Sequence, residues 1–242
     1  MKRANEINVL IACEESQRSC MAFRERGFNA YSNDIIKCSG HFPKYHILEN
    51  ALNILDGGAC RLQNGKKIDI DHWDLIIAHP PCTYLSGAAT SCHSLKVTPE
   101  NRIIGRTFER INAMEFFMKC FTANAKYIAV ENPVGVMNTA FRKPDQIIEP
   151  YYFAESETDS ENYVTKRTCL WLKNLPQLIK TNDLPKPDNA TLFGTLKSGK
   201  RKGKALNFVD ANKNVKIRSK TFPGVANAFA EQWGEYLLKE LN

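Results

Sequence analysis

The stretch "INVLIACEESQRSCMAFRERGFNAYSNDI", residues 7–35, decides the fold. Its first six residues are a β-rich apolar run. The next part carries apolar residues near helical spacing and stops at Gly27, and "FNAYSNDI" (28–35) reads as a second short strand. Strand, helix and strand in that order make a βαβ unit. Repeated along a chain, such units give a mostly parallel sheet with helices on both faces, which binds ligands at the carboxyl ends of its strands.

Working outward, the same alternation continues. "YHILENALNIL" (45–55) suits a third edge strand and a short helix, and "DGGACRLQNGKKIDID" (56–71) is a turn-rich hairpin or surface insertion. "WDLIIAHPPCTYLS" (73–86) is a buried strand running into two prolines, a cysteine and hydroxyls. A helix is expected over 100–125, then the strand "KYIAVENP" (126–133). Beyond residue 150 the regularity weakens. "ESETDSEN" (155–162) is an acidic, turn-prone loop, "KRTCLWLKNL" (166–175) a strand, and the C-terminal "FPGVANAFAEQWGEYLLKEL" sets Val225, Ala228, Phe229, Trp233 and Leu237 near one helix face. We therefore expect an α/β core over 1–175, a basic segment over 176–220, and a helix over 221–242 packing back on the core.

Composition fits this reading. The chain has 242 residues, 43% of them hydrophobic, enough for one large domain with a small appendage. No leader pattern or bilayer-length apolar run is present, which points to the cytoplasm. Eight cysteines show no CxxC or zinc-finger spacing, and Cys13, Cys20, Cys120 and Cys169 fall in or beside apolar segments, as reduced thiols do. Net charge is +7. It is concentrated between Lys197 and Lys220, where nine Lys or Arg accompany one acid, Asp210. Such clustering favours phosphate through counterion release; a solvated loop is the plain alternative.

Two strands bring unusual residues to one sheet edge: "HPPC" (79–82) and "ENP" (131–133). Proline after a strand fixes the backbone, which suits a side chain that must be held in place. Cys82 is a candidate nucleophile and Glu131 a carboxylate able to hydrogen-bond or protonate a substrate ring. Singly, each also reads as a buried thiol or a helix cap.

The ordered set carries a resemblance. "HPPCTYLS" followed by "VENP" resembles the Pro-Cys and Glu-Asn-Val elements of the DNA (cytosine-5)-methyltransferase family. "VLIACEESQ", "SNDI", "ENPVG", "KRTCLWLKNLP" and "RSKTFPGVANAFAEQW" are similar to short phage-type cytosine methyltransferase-like proteins, which extends the likeness over most of the chain outside 56–72 and 180–215. The resemblance implies a Rossmann-like methyltransferase fold that uses S-adenosylmethionine and no metal. It implies that Cys82 attacks carbon 6 of cytosine to activate carbon 5, that Glu131 holds ring N3 and the exocyclic amine, and that Arg167 supports the base. It places the cofactor against Ala12, Cys13, Glu14, Glu15, Ser16 and Pro80, with Asp34 on the ribose hydroxyls and Asn50 on the adenine amine. Asp74 is expected to be structural.

Two departures from the family stand out. "ACEES" (12–16) replaces its glycine-rich turn, and only about forty residues stand where its target-recognition region lies. Lys197, Lys200, Arg201, Lys202, Lys204, Lys216 and Arg218 are the expected contacts to double-stranded DNA, in a bacterial host cytoplasm if the gene is a phage's. The competing readings are a non-catalytic DNA-binding or decoy protein on the same fold, an enzyme of free cytosine nucleotides, and an amino-methyltransferase. The last is disfavoured because Cys82 stands where its aromatic ring would.

Overall fold

The computed structural model describes residues 2–87, 102–198, 202–206, 208–212 and 214–241; Lys200, Arg201 and the Lys216 side chain lie outside what is described. In chain order the elements are β1 (Asn8–Ala12), α1 (Arg18–Glu25), β2 (Asn29–Asp34), β3 (His46–Leu48), β4 (Gly58–Arg61), β5 (Lys67–Ile70), β6 (Leu75–Ala78), α2 (Arg102–Thr122), β7 (Tyr127–Pro133), α3 (Met137–Ala140), β8 (Gln146–Ile148) and β9 (Thr168–Lys173). Short helices follow: α4 (Asn189–Phe193), α5 (Phe208–Ala211) and α6 (Val215–Ser219). The last helical rod comprises α7 (Pro223–Ala228), a π-turn (Phe229–Trp233) and α8 (Gly234–Glu240).

Seven strands form one sheet in the order β3-β2-β1-β6-β7-β9-β8, while β4 and β5 pair apart as an antiparallel hairpin. The first five strands of that order run parallel. Only β9 is reversed, antiparallel to both β7 and β8. This is the mostly parallel, Rossmann-like α/β sheet with flanking helices expected from the strand–helix–strand rhythm of residues 7–35. The direction of β9 and the existence of β8 were not read from the sequence.

Alternation along each strand builds the two layers of core. Val9 and Ile11 of β1, Leu75 and Ile77 of β6, and Tyr127 and Ala129 of β7 join the layer beneath α1 and the C-terminal rod. Leu10, Ala12, Ile76, Ala78, Ile128 and Val130 join the opposite layer with α2 and the hairpin. A two-residue side-chain period with both faces covered requires near-continuous apolar strands, as these are. In the first layer Phe229 and Trp233 stack at 4.5 Å. In the second, Phe117 of α2 meets Trp171 of β9 edge-on at 5.0 Å. Helix α1 ends where expected, with Gly27 at φ 85° donating its N–H to the Arg24 carbonyl.

The basic segment is not wholly without apolar anchors. Phe193, Phe208 and Phe222 form an edge-on chain, at 6.3 and 5.1 Å, that ties α4 and α5 to the first core layer. Asp74 is structural, as expected: nearly buried, it accepts from Lys2 Nζ at 2.7 Å and from the Asn8 N–H at 2.8 Å. Among the described residues, no helix is long and apolar enough to cross a membrane.

Candidate active site

The strand order reverses between β1 and β6, and there the sheet opens a crevice at its carboxyl edge. Ala12 and Ala78 are register partners at the ends of those strands, and the His79 N–H donates to the Ala12 carbonyl at 3.0 Å. The turns Cys13–Gln17 and His79–Cys82 therefore lie side by side.

On one side is a cleft lined by Cys13, Glu14, Glu15, Ser16, Asp34, Ile36, His79, Ser219, Lys220 and Thr221. Its floor lacks glycine, and the chain turns instead through left-handed Cys13 (φ 60°) and Gln17 (φ 61°). Buried Glu14 braces that turn by accepting the Ser19 and Cys20 N–H groups of α1 at 2.7 and 3.1 Å. Burial pushes its carboxyl up, with His79 and those two N–H groups opposing. Asp34 closes β2, accepts the Ile36 N–H at 3.2 Å, and is likewise pushed up by burial. The Ser16 hydroxyl is buried with no hydrogen-bond partner.

On the other side is a narrow cleft whose lining includes His79, Glu131, Lys166, Thr168, Phe222 and Phe229. His79, Ser219, Lys220 and Thr221 belong to both linings, so one wall separates the two spaces. Two cations pin that wall: Arg18 Nη1 donates to the Thr221 carbonyl at 2.8 Å and Lys166 Nζ to the Arg218 carbonyl at 2.8 Å. Glu131, in β7 one residue beyond the partner of Ala78, meets His79 Nδ1 through Oε2 at 3.1 Å. Burial would raise its carboxyl, but the His79 bond and charge and the Lys166 charge outweigh that, leaving it below its ordinary value.

Cys82 is exposed at the mouth of this edge. Desolvation and then the Glu131 charge push its thiol up, against Lys166 and Arg218. The turn that carries it is held from several directions. The Cys82 carbonyl accepts from the Leu85 and Ser86 N–H groups at 3.1 and 3.0 Å, and Arg110 Nε donates to the Tyr84 carbonyl at 2.9 Å. Residues 85–87 pair with 134–136 through Gly87 N to Val134 O and Val136 N to Leu85 O, both 2.9 Å. Asn132 Nδ2 donates to the carbonyl of buried Pro80 at 2.7 Å. The "ENPVG" stretch thus supplies both a carboxylate and a clamp on the cysteine turn.

Of the residues singled out from sequence, Cys13, Glu14, Glu15, Ser16 and Asp34 line one cleft and Glu131 lines the other; Cys82 lines neither, though the charges of Glu131, Lys166 and Arg218 reach it; Ala12 and Pro80 are buried at the strand ends that support them. Asn50 is exposed, caps a short turn by accepting the Leu52 N–H at 3.0 Å, and is absent from both linings. Arg167 is exposed, and the cation in the pocket is its neighbour Lys166. Lys197, Lys202 and Lys204 are exposed, near a backbone bond from Leu196 N to Lys204 O at 2.9 Å, whereas Arg218 adjoins the clefts. His79, Lys166 and residues 219–221 were not read as site residues. The signal for His79 lay in the quoted "HPPC" itself.

Fold and site together define a mostly parallel, Rossmann-like α/β framework with paired clefts at its switch point. Among solved structures, the methyltransferase EhMeth of Entamoeba histolytica is similar to this chain at 14% identity and a TM-score of 0.40, over 76% of this chain; the match spans 58% of that structure's length. No protein-family model and no curated protein matches the chain.

Proposed function

We propose that this protein transfers a methyl group from S-adenosylmethionine to carbon 5 of cytosine in DNA. The observation that carries the reading is the shared wall: a cleft with an acid at the end of β2 abuts a pocket holding Glu131, whose charge reaches the exposed Cys82. The first cleft fits the cofactor. It offers the Asp34 carboxylate for ribose hydroxyls, apolar Ile36 beside it, and the unpartnered Ser16 hydroxyl. S-adenosylmethionine held there would supply an electrophilic methyl group.

The chain's own groups do the rest. Cys82 sulfur bonds to carbon 6 of the pyrimidine, and the electron pair of the 5,6 double bond shifts toward carbon 4 and N3, making carbon 5 nucleophilic. Glu131 holds N3 and the exocyclic amine while that charge develops. Lys166, rather than Arg167, is the cation placed to favour the thiolate. Phe222 and Phe229 give the ring an apolar floor. Exposed Lys197, Lys202 and Lys204 suit contacts to phosphates, which must offset the few kcal/mol that extruding a base costs.

Trapping tests the reading. DNA containing 5-fluorocytosine, incubated with the protein and S-adenosylmethionine, should become covalently attached at Cys82, because fluorine does not leave as a proton does. Cys82→Ser should give no adduct. Methyl transfer that persists in Cys82→Ala would overturn carbon methylation, and trapping of 5-fluoro-dCMP but not DNA would move the substrate to free nucleotides.

A further inference from the structure

His79 stands where no part of the proposed chemistry yet needs a histidine. It is the one ionisable side chain, besides Lys220, that lines both clefts. Its Nδ1 is spent on Glu131, its side chain is 11% exposed, and its Nε2 is buried with no hydrogen-bond partner. A buried imidazole with one nitrogen idle costs stability unless function retains it. The charged groups acting on this region are Glu131 from β7, Glu14 from the turn before α1, Lys166 from the start of β9, and Arg218 and Lys220 from the wall segment. His79 thus lies between the buried carboxylate of Glu14 and the part-buried carboxylate of Glu131, from different elements.

The proposed reaction has a proton problem at Glu131. Ring N3 of cytosine is an acceptor, so holding it as thiolate addition proceeds requires a proton, yet Glu131 is kept ionised by its neighbours. Its charge also opposes a thiolate at Cys82. One proton placed on Glu131 meets both needs.

Building on the function proposed above, we infer that His79 and Glu131 form a single proton-sharing dyad, in which His79 stores the proton that Glu131 passes to N3 of the pyrimidine. The exchange balances. Cys82 gives its proton to water through its exposed face and its sulfur bonds to carbon 6. The electron pair displaced to N3 takes the proton from Glu131, and Glu131 takes the Nδ1 proton of the His79 imidazolium, leaving a neutral imidazole. After carbon 5 has gained its methyl group and lost its hydrogen to water, the N3 proton returns through Glu131 to His79. The 5,6 double bond re-forms as the carbon–sulfur bond breaks. His79 touches no reacting carbon and is a positioning residue acting through Glu131.

The test is the pH profile of adduct formation with 5-fluorocytosine DNA under single turnover, in wild type, His79→Gln and His79→Asn, with melting and S-adenosylmethionine calorimetry showing that each variant is folded and binds cofactor. Wild type should slow as pH rises through the dyad's titration. Both variants should lose that decline and be slower by about a hundredfold, in the range general acid catalysis supplies. In parallel, the nitrogen-15 resonance of His79 Nδ1 should move in Glu131→Gln, because its hydrogen-bond partner changes from a carboxylate to an amide. If wild type forms the adduct and a folded His79 variant keeps the same profile and rate, the dyad is overturned while methylation stands. Wild type that forms no adduct with any cytosine substrate overturns the underlying function, and the dyad's role with it.

Discussion

Gly135 shows how narrowly the Cys82 turn is built. A Cβ at this position would lie 1.9 Å from the Leu85 carbonyl oxygen, a backbone atom that has no rotamer by which to escape. Only hydrogen lets the 85–87 and 134–136 segments approach closely enough for their 2.9 Å bonds. Gly135→Ala should therefore cost roughly 1–3 kcal/mol of stability, as overpacking does, and slow trapping at Cys82, with S-adenosylmethionine affinity unchanged. Denaturant midpoints and calorimetry on the same preparation check both halves. The sequence made Cys82 and Glu131 legible because residue order and adjacent prolines survive in one dimension. It could not distinguish Lys166 from Arg167, since neighbours just before a strand face differently only once the strand's direction is fixed, nor mark Asn50 as bound to its own turn.

At the scale of elements, the reversed β9 does most to shape the pocket. Running antiparallel to β7, it starts at the carboxyl edge, with Thr168 opposite Pro133, and so delivers Lys166 to the pocket. Short-range patterns carry strand identity but not direction, whereas the strand–helix–strand rhythm of residues 7–35 fixes direction through its crossover. Asp145 secures this sheet edge by accepting the Leu172 N–H at 2.7 Å and pairing with Arg142 at 2.7 Å. Burial would raise its carboxyl, but Arg142 and the Leu172 N–H outweigh it and hold it below its ordinary value. A depressed carboxyl contributes stability above its unfolded pKa, about 3.9, that is lost as pH falls through the folded value. With the pair partly screened by water, Asp145→Asn should cost about 1 kcal/mol at pH 7. Urea midpoints of the two proteins should converge as pH drops below about 4.

For the molecule as a whole, occupancy of the first cleft should be read as heat resistance. A ligand that binds only the folded chain adds about 2.7 kcal/mol at one hundred times its Kd, a rise in melting temperature of roughly 5–10 °C for a chain of this size. S-adenosylmethionine should give that rise, and Asp34→Ala should abolish it at equal concentration. No shift at millimolar cofactor would favour a binding protein without catalysis. The pinned wall between the clefts has a further consequence in time. Arg18 and Thr221 are 203 residues apart, yet their bond closes the first cleft. At about 5–20 residues per second, the arginine leaves the peptidyl-transferase centre about 10–40 s before its partner is made. During that interval the growing chain can lay down strands and pair them, but neither cleft has its wall. A ribosome-bound nascent chain stalled before residue 218 should thus retain no S-adenosylmethionine, and the proposed methyl transfer would begin only when translation has passed the basic segment.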